Sequence, residues 1–344
     1  MLLQTLAGVY RIAILLFILS SIVILSSCLH DEKQDDYVPD IKIKVWRYDK
    51  LQQEFVTTNS FTALQKMNMN YPKTTKMLIE DVLTLGTVDD IHINDKLQEY
   101  YSDPTLLSLM NDATSKFKDM SEIEEKFSVG FKELREHIPG IVVPQFVSLV
   151  SALNQSVIIG DSLVAFSIDK YMGQDYPLYK KYYYDFQSFT MTPERIVPDC
   201  FFYYLLSLYP FPQENNQRTL QDVILHHGKI HWIVYQILKY NTLEEELGYR
   251  QEDIDWCNTH KKELWQWILQ KGHLKSSNSL LIKGYINRSP FISIMDQDTP
   301  PMIGLWLGIH LIDLYMSQNK DVTYQQLLEA TNYDEIMNHI KIEN

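Results

Sequence analysis

Basic residues are in short supply in this chain, 31 against 44 acidic ones, which leaves a formal net charge of −13. Phosphate repels such a surface, so nucleic acid is excluded as a partner, and the acidity favours solubility. Glycine is scarce too, at 12 of 344 residues. Together with 45% hydrophobic residues and 22 tyrosines, that scarcity suits a helical, aromatic-packed domain better than a linker-rich or disordered chain. Gly-x-Ser-x-Gly, a phosphate loop and Cys-x-x-Cys are all missing, which removes the common nucleophile, nucleotide and redox signatures. A paired-carboxylate hydrolase stays open, because such pairs are spatial and leave no spacing signal. The cysteines are Cys28, Cys200 and Cys257. Export permits a disulfide between the last two, but Cys200 beside Phe201 and Phe202 reads as a buried, inert thiol.

What is present begins with a targeting segment, residues 1–27. Arg11 precedes the apolar run Ile12–Leu19, and Leu25-Ser26-Ser27 precedes Cys28. A basic start, apolar middle and small residues before the cut make a secretory signal. The order resembles a bacterial lipobox, with cleavage before Cys28 and lipid attached to it. Residues 28–40 are polar and acidic and read as a tether. Asp31 and Glu32 resemble a surface-export signal, so outer-leaflet display is open.

A single globular domain is expected over residues 41–344. Ile41–Val45 alternates apolar and basic residues and predicts a strand. Ser60–Tyr71 and Lys73–Leu85 predict helices split at Pro72, and Asp103–Lys118 another with Pro104 at its first position. Ser121–His137 is amphipathic, with Ser121 and Glu124 as its capping box. Ile141–Leu149, Gln155–Ile159 and Leu163–Ile168, the last two joined by a turn at Gly160-Asp161, predict a small antiparallel sheet with the first strand. After Gly173 the chain turns helical and aromatic. Tyr182, Tyr183 and Tyr184 face different ways on a helix and are expected to pack. Thr192–Tyr209 predicts one helix, or two joined at Pro198. Gln251–Lys271 carries Trp256, Trp265 and Trp267 as expected core. In Ile303–Met316, Gly304 and Gly308 permit close helix packing, while His310 and Asp313 interrupt any membrane span. Helices over Thr323–Ala330 and Asp334–Ile340 close the chain.

The organising stretch is Thr219–Lys239, a long, mostly buried helix capped by Thr219 with Asp222. His227 and His231 share its apolar face at the spacing at which two imidazoles hold one zinc ion. However, Gly228 stands where a zinc peptidase needs its glutamate, and no third ligand faces the same way. Two core histidines are the plainer reading, and no cofactor is expected. Gly228 implies close approach of a neighbouring element, because glycine inside a helix costs about 1 kcal/mol relative to alanine. Lys229 is expected on a semi-buried flank, paired with a carboxylate.

The chain resembles the gliding-motility lipoprotein GldB family of Gram-negative bacteria. The resembling residues are Asp161-Ser162, Asp169 to Gly173, Gly228-Lys229, Trp256, Glu263–Trp267, Ser289-Pro290-Phe291 and Pro301 to Gly308. That family is similar to predicted zinc peptidases, whose helices carry His-Glu-x-x-His and a glutamate before a glycine. Here the matching positions are Asp199 to Leu205, without histidine or glutamate, and His227. The resemblance therefore implies an α+β, predominantly helical, degenerate zinc-peptidase-like scaffold. It also implies a non-catalytic envelope lipoprotein, in the outer membrane, whose partners are the membrane through Cys28 and envelope proteins of a motility or secretion system. The alternative is a metal-dependent peptidase or hydrolase with an unorthodox site around His227 and His231.

Overall fold

In the computed structural model, the structure describes residues 41–212, 218–288, 294–296 and 298–341. The signal segment, Cys28, the tether and Pro290 lie outside the described residues.

The sheet has four strands in the order β1-β2-β4-β3. These are β1 Val45–Arg47, β2 Gln145–Leu149, β3 Val157–Gly160 and β4 Leu163–Ser167. β1 runs parallel to β2 and β2 parallel to β4, with Phe146 opposite both Val45 and Val164. Only the β3–β4 hairpin is antiparallel. The expected antiparallel sheet is thus corrected to a mixed one. Apolar alternation fixes which face of a strand is buried and says nothing of its direction. The long helical crossover between β1 and β2 is what lets them run parallel. The hairpin turns at Asp161-Ser162, where Ser162 takes φ +58°.

The first strand is also shorter and later than expected. Ile43 and Val45 donate their N–H groups to Ser128 Oγ (3.0 Å) and Glu124 Oε1 (3.0 Å), so side chains of a helix cover this edge. Glu124 is thereby diverted from the expected capping box. Ser121 donates its N–H to Asp119 Oδ1 instead (2.9 Å).

The crossover holds α1 Tyr48–Thr58, α2 Phe61–Asn70, α3 Pro72–Lys76, a π-helical turn Met77–Val82, α4 Ile93–Tyr101, α5 Pro104–Lys116 and α6 Ser121–His137. After the hairpin come α7 Pro177–Tyr182, α8 Asp185–Ser188, α9 Ile196–Leu208, α10 Leu220–Leu238, α11 Leu243–Leu247 and α12 Gln251–Gln270. α13 Ser279–Ile286, α14 Ile303–Gln318, α15 Tyr324–Glu329 and α16 Tyr333–Asn338 complete the chain. Pro198 sits in the first turn of α9, where its missing N–H costs nothing.

α10 and α14 form the centre of the helical layer. Gly228 and Gly308 face each other there: a Cβ on Gly308 would lie 2.0 Å from the Ile224 carbonyl oxygen, and one on Gly228 2.5 Å from Gly308 backbone atoms. The close approach implied by the glycines is present. Two packing expectations hold only in part. Trp256, Trp265 and Trp267 are half-buried, and α12 turns Cys257, Leu264 and Ile268 into the core instead. Tyr183 packs against Tyr179 at the core's edge, but Tyr182 and Tyr184 are exposed. No helix of the described residues is long and apolar enough to cross a membrane.

Candidate functional site

The polar side chains of α10 meet neighbours on several surrounding elements. The helix begins with the capping box of Thr219 and Asp222 and is buried on nearly every side. His226 bonds the Tyr333 hydroxyl of α16 through Nδ1 (2.8 Å). Lys229 is fully buried, not on a flank, and pairs with no carboxylate among the described residues. Its Nζ donates to the carbonyls of Leu328 (2.7 Å) and Ala330 (2.8 Å) at the C-terminal end of α15. An ammonium there satisfies carbonyls that a helix leaves unpaired and meets the negative end of its dipole. Burial still pushes the Lys229 pKa down to about 8.

The charged cluster lies where α9, α10 and α11 meet. Arg195, just before α9, donates from Nη2 to Asp199 Oδ1 (2.7 Å) and from Nη1 to the Glu246 carbonyl. Its Nη1 also stands 3.4 Å from Glu246 Oε2, and Glu246 Oε1 is 2.6 Å from His231 Nδ1. The Tyr171 hydroxyl donates to Asp199 Oδ2 (3.0 Å). Burial alone lowers the Arg195 pKa, but Asp199 and Glu246 outweigh it and hold it above its ordinary value. The guanidinium is therefore a permanent cation facing these two carboxylates. A second pair lies nearby: Glu244 Oε1 accepts from Trp306 Nε1 (3.0 Å) and meets His310 Nε2 (2.9 Å). The bond to His310 is the main reason the Glu244 pKa falls to about 2.

The two histidines singled out by spacing do lie near each other. The Phe202 ring of α9 stacks on His231 at 4.3 Å and on His227 at 5.7 Å between centroids. His227 is only half-buried, so the apolar face assigned to it is incomplete. Nε2 of His231 is buried without a hydrogen-bond partner among the described residues. These residues do not fit a metal. Among the described residues no three His, Cys, Asp or Glu side chains come together as a ligand set. The carboxylate nearest His231 is already bound to Arg195, and a divalent ion there would face that guanidinium.

Burial holds His226 neutral, with its pKa near 3, and Lys229 and His227 add to the effect. His227 is held near 4 by burial and by His231. The unfolded chain takes up these protons at about pH 6.5. Stability from this source is therefore complete above pH 6.5 and falls as the pH drops toward 4. By pH 5 His226 alone costs about 2 kcal/mol. Urea unfolding at pH 7.5 and pH 5 should show that loss, and His226→Gln should reduce it by about the same amount. An equal loss in the variant would remove His226 as its cause.

The other singled-out positions scatter. Asp169 is fully buried and accepts N–H bonds from Ser151 (2.9 Å) and Leu153 (2.6 Å), while burial raises its pKa. Gly173 takes φ +102° and donates its N–H to the Met191 carbonyl (2.8 Å). Asp161 is an exposed turn residue paired with Lys73 (2.8 Å). Gly304 packs against Tyr285 and Ile224. Trp256 stacks on His260 at 4.5 Å. Cys200 and Cys257 are both buried and both free, so they form no disulfide. Burial pushes the Cys200 pKa well up, as an inert thiol requires.

Sequence reasoning missed Arg195, Glu244 and Glu246. In Leu243-Glu244-Glu245-Glu246-Leu247 a short helix buries two glutamates and exposes the one between them, a pattern that reads from sequence as a solvated charge run.

Beside Arg195 opens a groove of about 670 Å³. Its walls are the loop after β4, the segment before α9 and the turn after α11. A family model described as gliding motility protein GldB matches residues 31–342. Nothing among curated proteins or solved structures matches the chain.

Proposed function

The chain belongs to the gliding motility protein GldB family, and from that premise we propose that it is a lipid-anchored, non-catalytic component of the cell envelope. Residues 1–27 are the signal, Cys28 carries the acyl chains, palmitate among them, and residues 28–40 tether the domain to the outer membrane. Each buried acyl methylene contributes about 0.8 kcal/mol, so several chains on one cysteine anchor it stably. The domain then supports a motility or secretion assembly through other envelope proteins.

The observation that carries the non-catalytic reading is Arg195, bound to Asp199 and Glu246 where α9, α10 and α11 meet. On this reading a peptidase-like scaffold has replaced its cation site with an internal ion pair. The competing reading, a metal-dependent hydrolase around His227 and His231, has the unpartnered Nε2 of His231 in its favour. Arg195 and the Phe202 ring weigh against it. Cys28→Ala should abolish metabolic labelling with palmitate, and a variant that still takes up the label would contradict the anchor.

A further inference from the structure

We propose that the groove beside Arg195 is a docking site for a short, extended, basic segment of a partner protein. This rests on the reading that the domain works by binding. The groove is preformed. The bond from the Gly173 N–H to the Met191 carbonyl (2.8 Å) ties one wall to the next. The Tyr179 hydroxyl fixes the loop behind it, donating to the Asp169 carbonyl (2.5 Å) and accepting from the Met172 N–H (2.9 Å). A Cβ on Gly173 would meet nothing closer than Lys116 Nζ at 4.0 Å, so glycine serves the loop's shape there and leaves the space open.

The lining selects the occupant. Phe189 and Tyr249 supply aromatic surface. Glu194 and Glu245, on different walls, are exposed and form no ion pair among the described residues; the Glu245 carboxylate accepts from the Asn241 N–H (3.1 Å) and side-chain amide (3.5 Å), neutral donors that leave its charge unbalanced. Asp175 at the mouth is already paired with Lys180 (3.1 Å). Arg195 spends its terminal nitrogens on Asp199 and Glu246, and its Nε–H has no partner among the described residues. An extended backbone offers a carbonyl to that Nε–H, while lysine or arginine side chains reach Glu194 and Glu245. Arg250 and Arg288 lie over the Phe189 ring, at 4.2 and 5.9 Å from its centre. They offset part of the negative potential, but each has an acidic neighbour, Glu252 for the first (3.1 Å) and Asp253 for the second. The net charge of −13 steers basic partners toward the domain and repels acidic ones.

The test uses the mature, lipid-bearing protein in detergent. The probe is a fluorescein-labelled Gly-Lys-Phe-Lys-Gly amide, with Gly-Glu-Phe-Glu-Gly as its charge-reversed control. The lysine peptide should bind saturably and lose affinity with added salt, and the glutamate peptide should not bind. The Glu194→Gln, Glu245→Gln double variant should weaken binding about tenfold, the sum expected for two partly exposed ion pairs. No binding of the lysine peptide, equal binding of the two peptides, or unchanged affinity in the double variant would overturn the proposal. Membrane fractionation and metal content of the same preparations test the envelope reading separately, so the two can fail independently.

Discussion

Replacing Gly308 with alanine should cost at least about 3 kcal/mol, beyond the usual range for a single added methyl group, and valine should leave little folded protein. The ordinary penalty for overpacking is relieved when side chains shift. Here the obstacle is backbone: the Ile224 carbonyl would lie 2.0 Å from the new Cβ, and the Ile224 carbonyl carbon 2.8 Å. Relief would require α10 and α14 to move apart. α10 carries Ile224, Ile230, Ile233 and Val234 in the core, and α14 carries Trp306, Ile309 and Ile312, so separation would open cavities along the whole contact. Gly140 is the control, since a Cβ there meets nothing within 4 Å, and Gly140→Ala should be nearly neutral. Urea denaturation of the two alanine variants gives the comparison. A Gly308→Ala cost below about 0.5 kcal/mol, the scale of ordinary surface changes, would mean that the helices do not meet as described.

Glu246→Ala should cost about 3–5 kcal/mol, the usual effect of removing one partner from a buried ion pair. Glu246 is fully buried, and its loss leaves the Arg195 guanidinium and His231 Nδ1 without their shared acceptor. Arg195 keeps Asp199 and the backbone carbonyl of residue 246, but Asp199 is partly exposed and compensates only in part. Most of the cost therefore comes from a buried cation left short of one of its two carboxylates. Arg195→Met in the Glu246→Ala background should recover a substantial part of it. A double-mutant cycle measures this directly, and additive costs would show that the two residues do not interact.

Local signals in the sequence transferred well. Thr219 and Asp222 cap α10 as read, Pro104 opens α5, and the glycines of α10 and α14 meet. Each of these depends on residues within one turn or on steric size alone. Failures occurred where a distant element supplied the partner. Glu124 has the spacing of a capping residue, but β1 lies close enough to claim it. Lys229 reads from sequence as a flank residue paired with a carboxylate, yet α15 ends beside it and offers carbonyls. The direction of β1 against β2 depends on a crossover that no strand encodes. Arg195 and Glu246 are far apart in sequence and belong to segments that look solvent-facing, so their pairing has no sequence signature. The histidine pair is visible in the sequence as a spacing on one helix; what decides its chemistry, Phe202 and the Arg195–Glu246 pair, comes from neighbouring elements.

The most direct test is the metal content of the purified, mature lipoprotein, measured by elemental mass spectrometry after dialysis against metal-free buffer. If Arg195 has taken the place of a catalytic cation, zinc and other transition metals should be well below one per chain, and denatured casein should not be degraded. About one tightly held zinc per chain, lost in His227→Ala or His231→Ala variants, would contradict the non-catalytic reading and make this helix the core of a metallohydrolase.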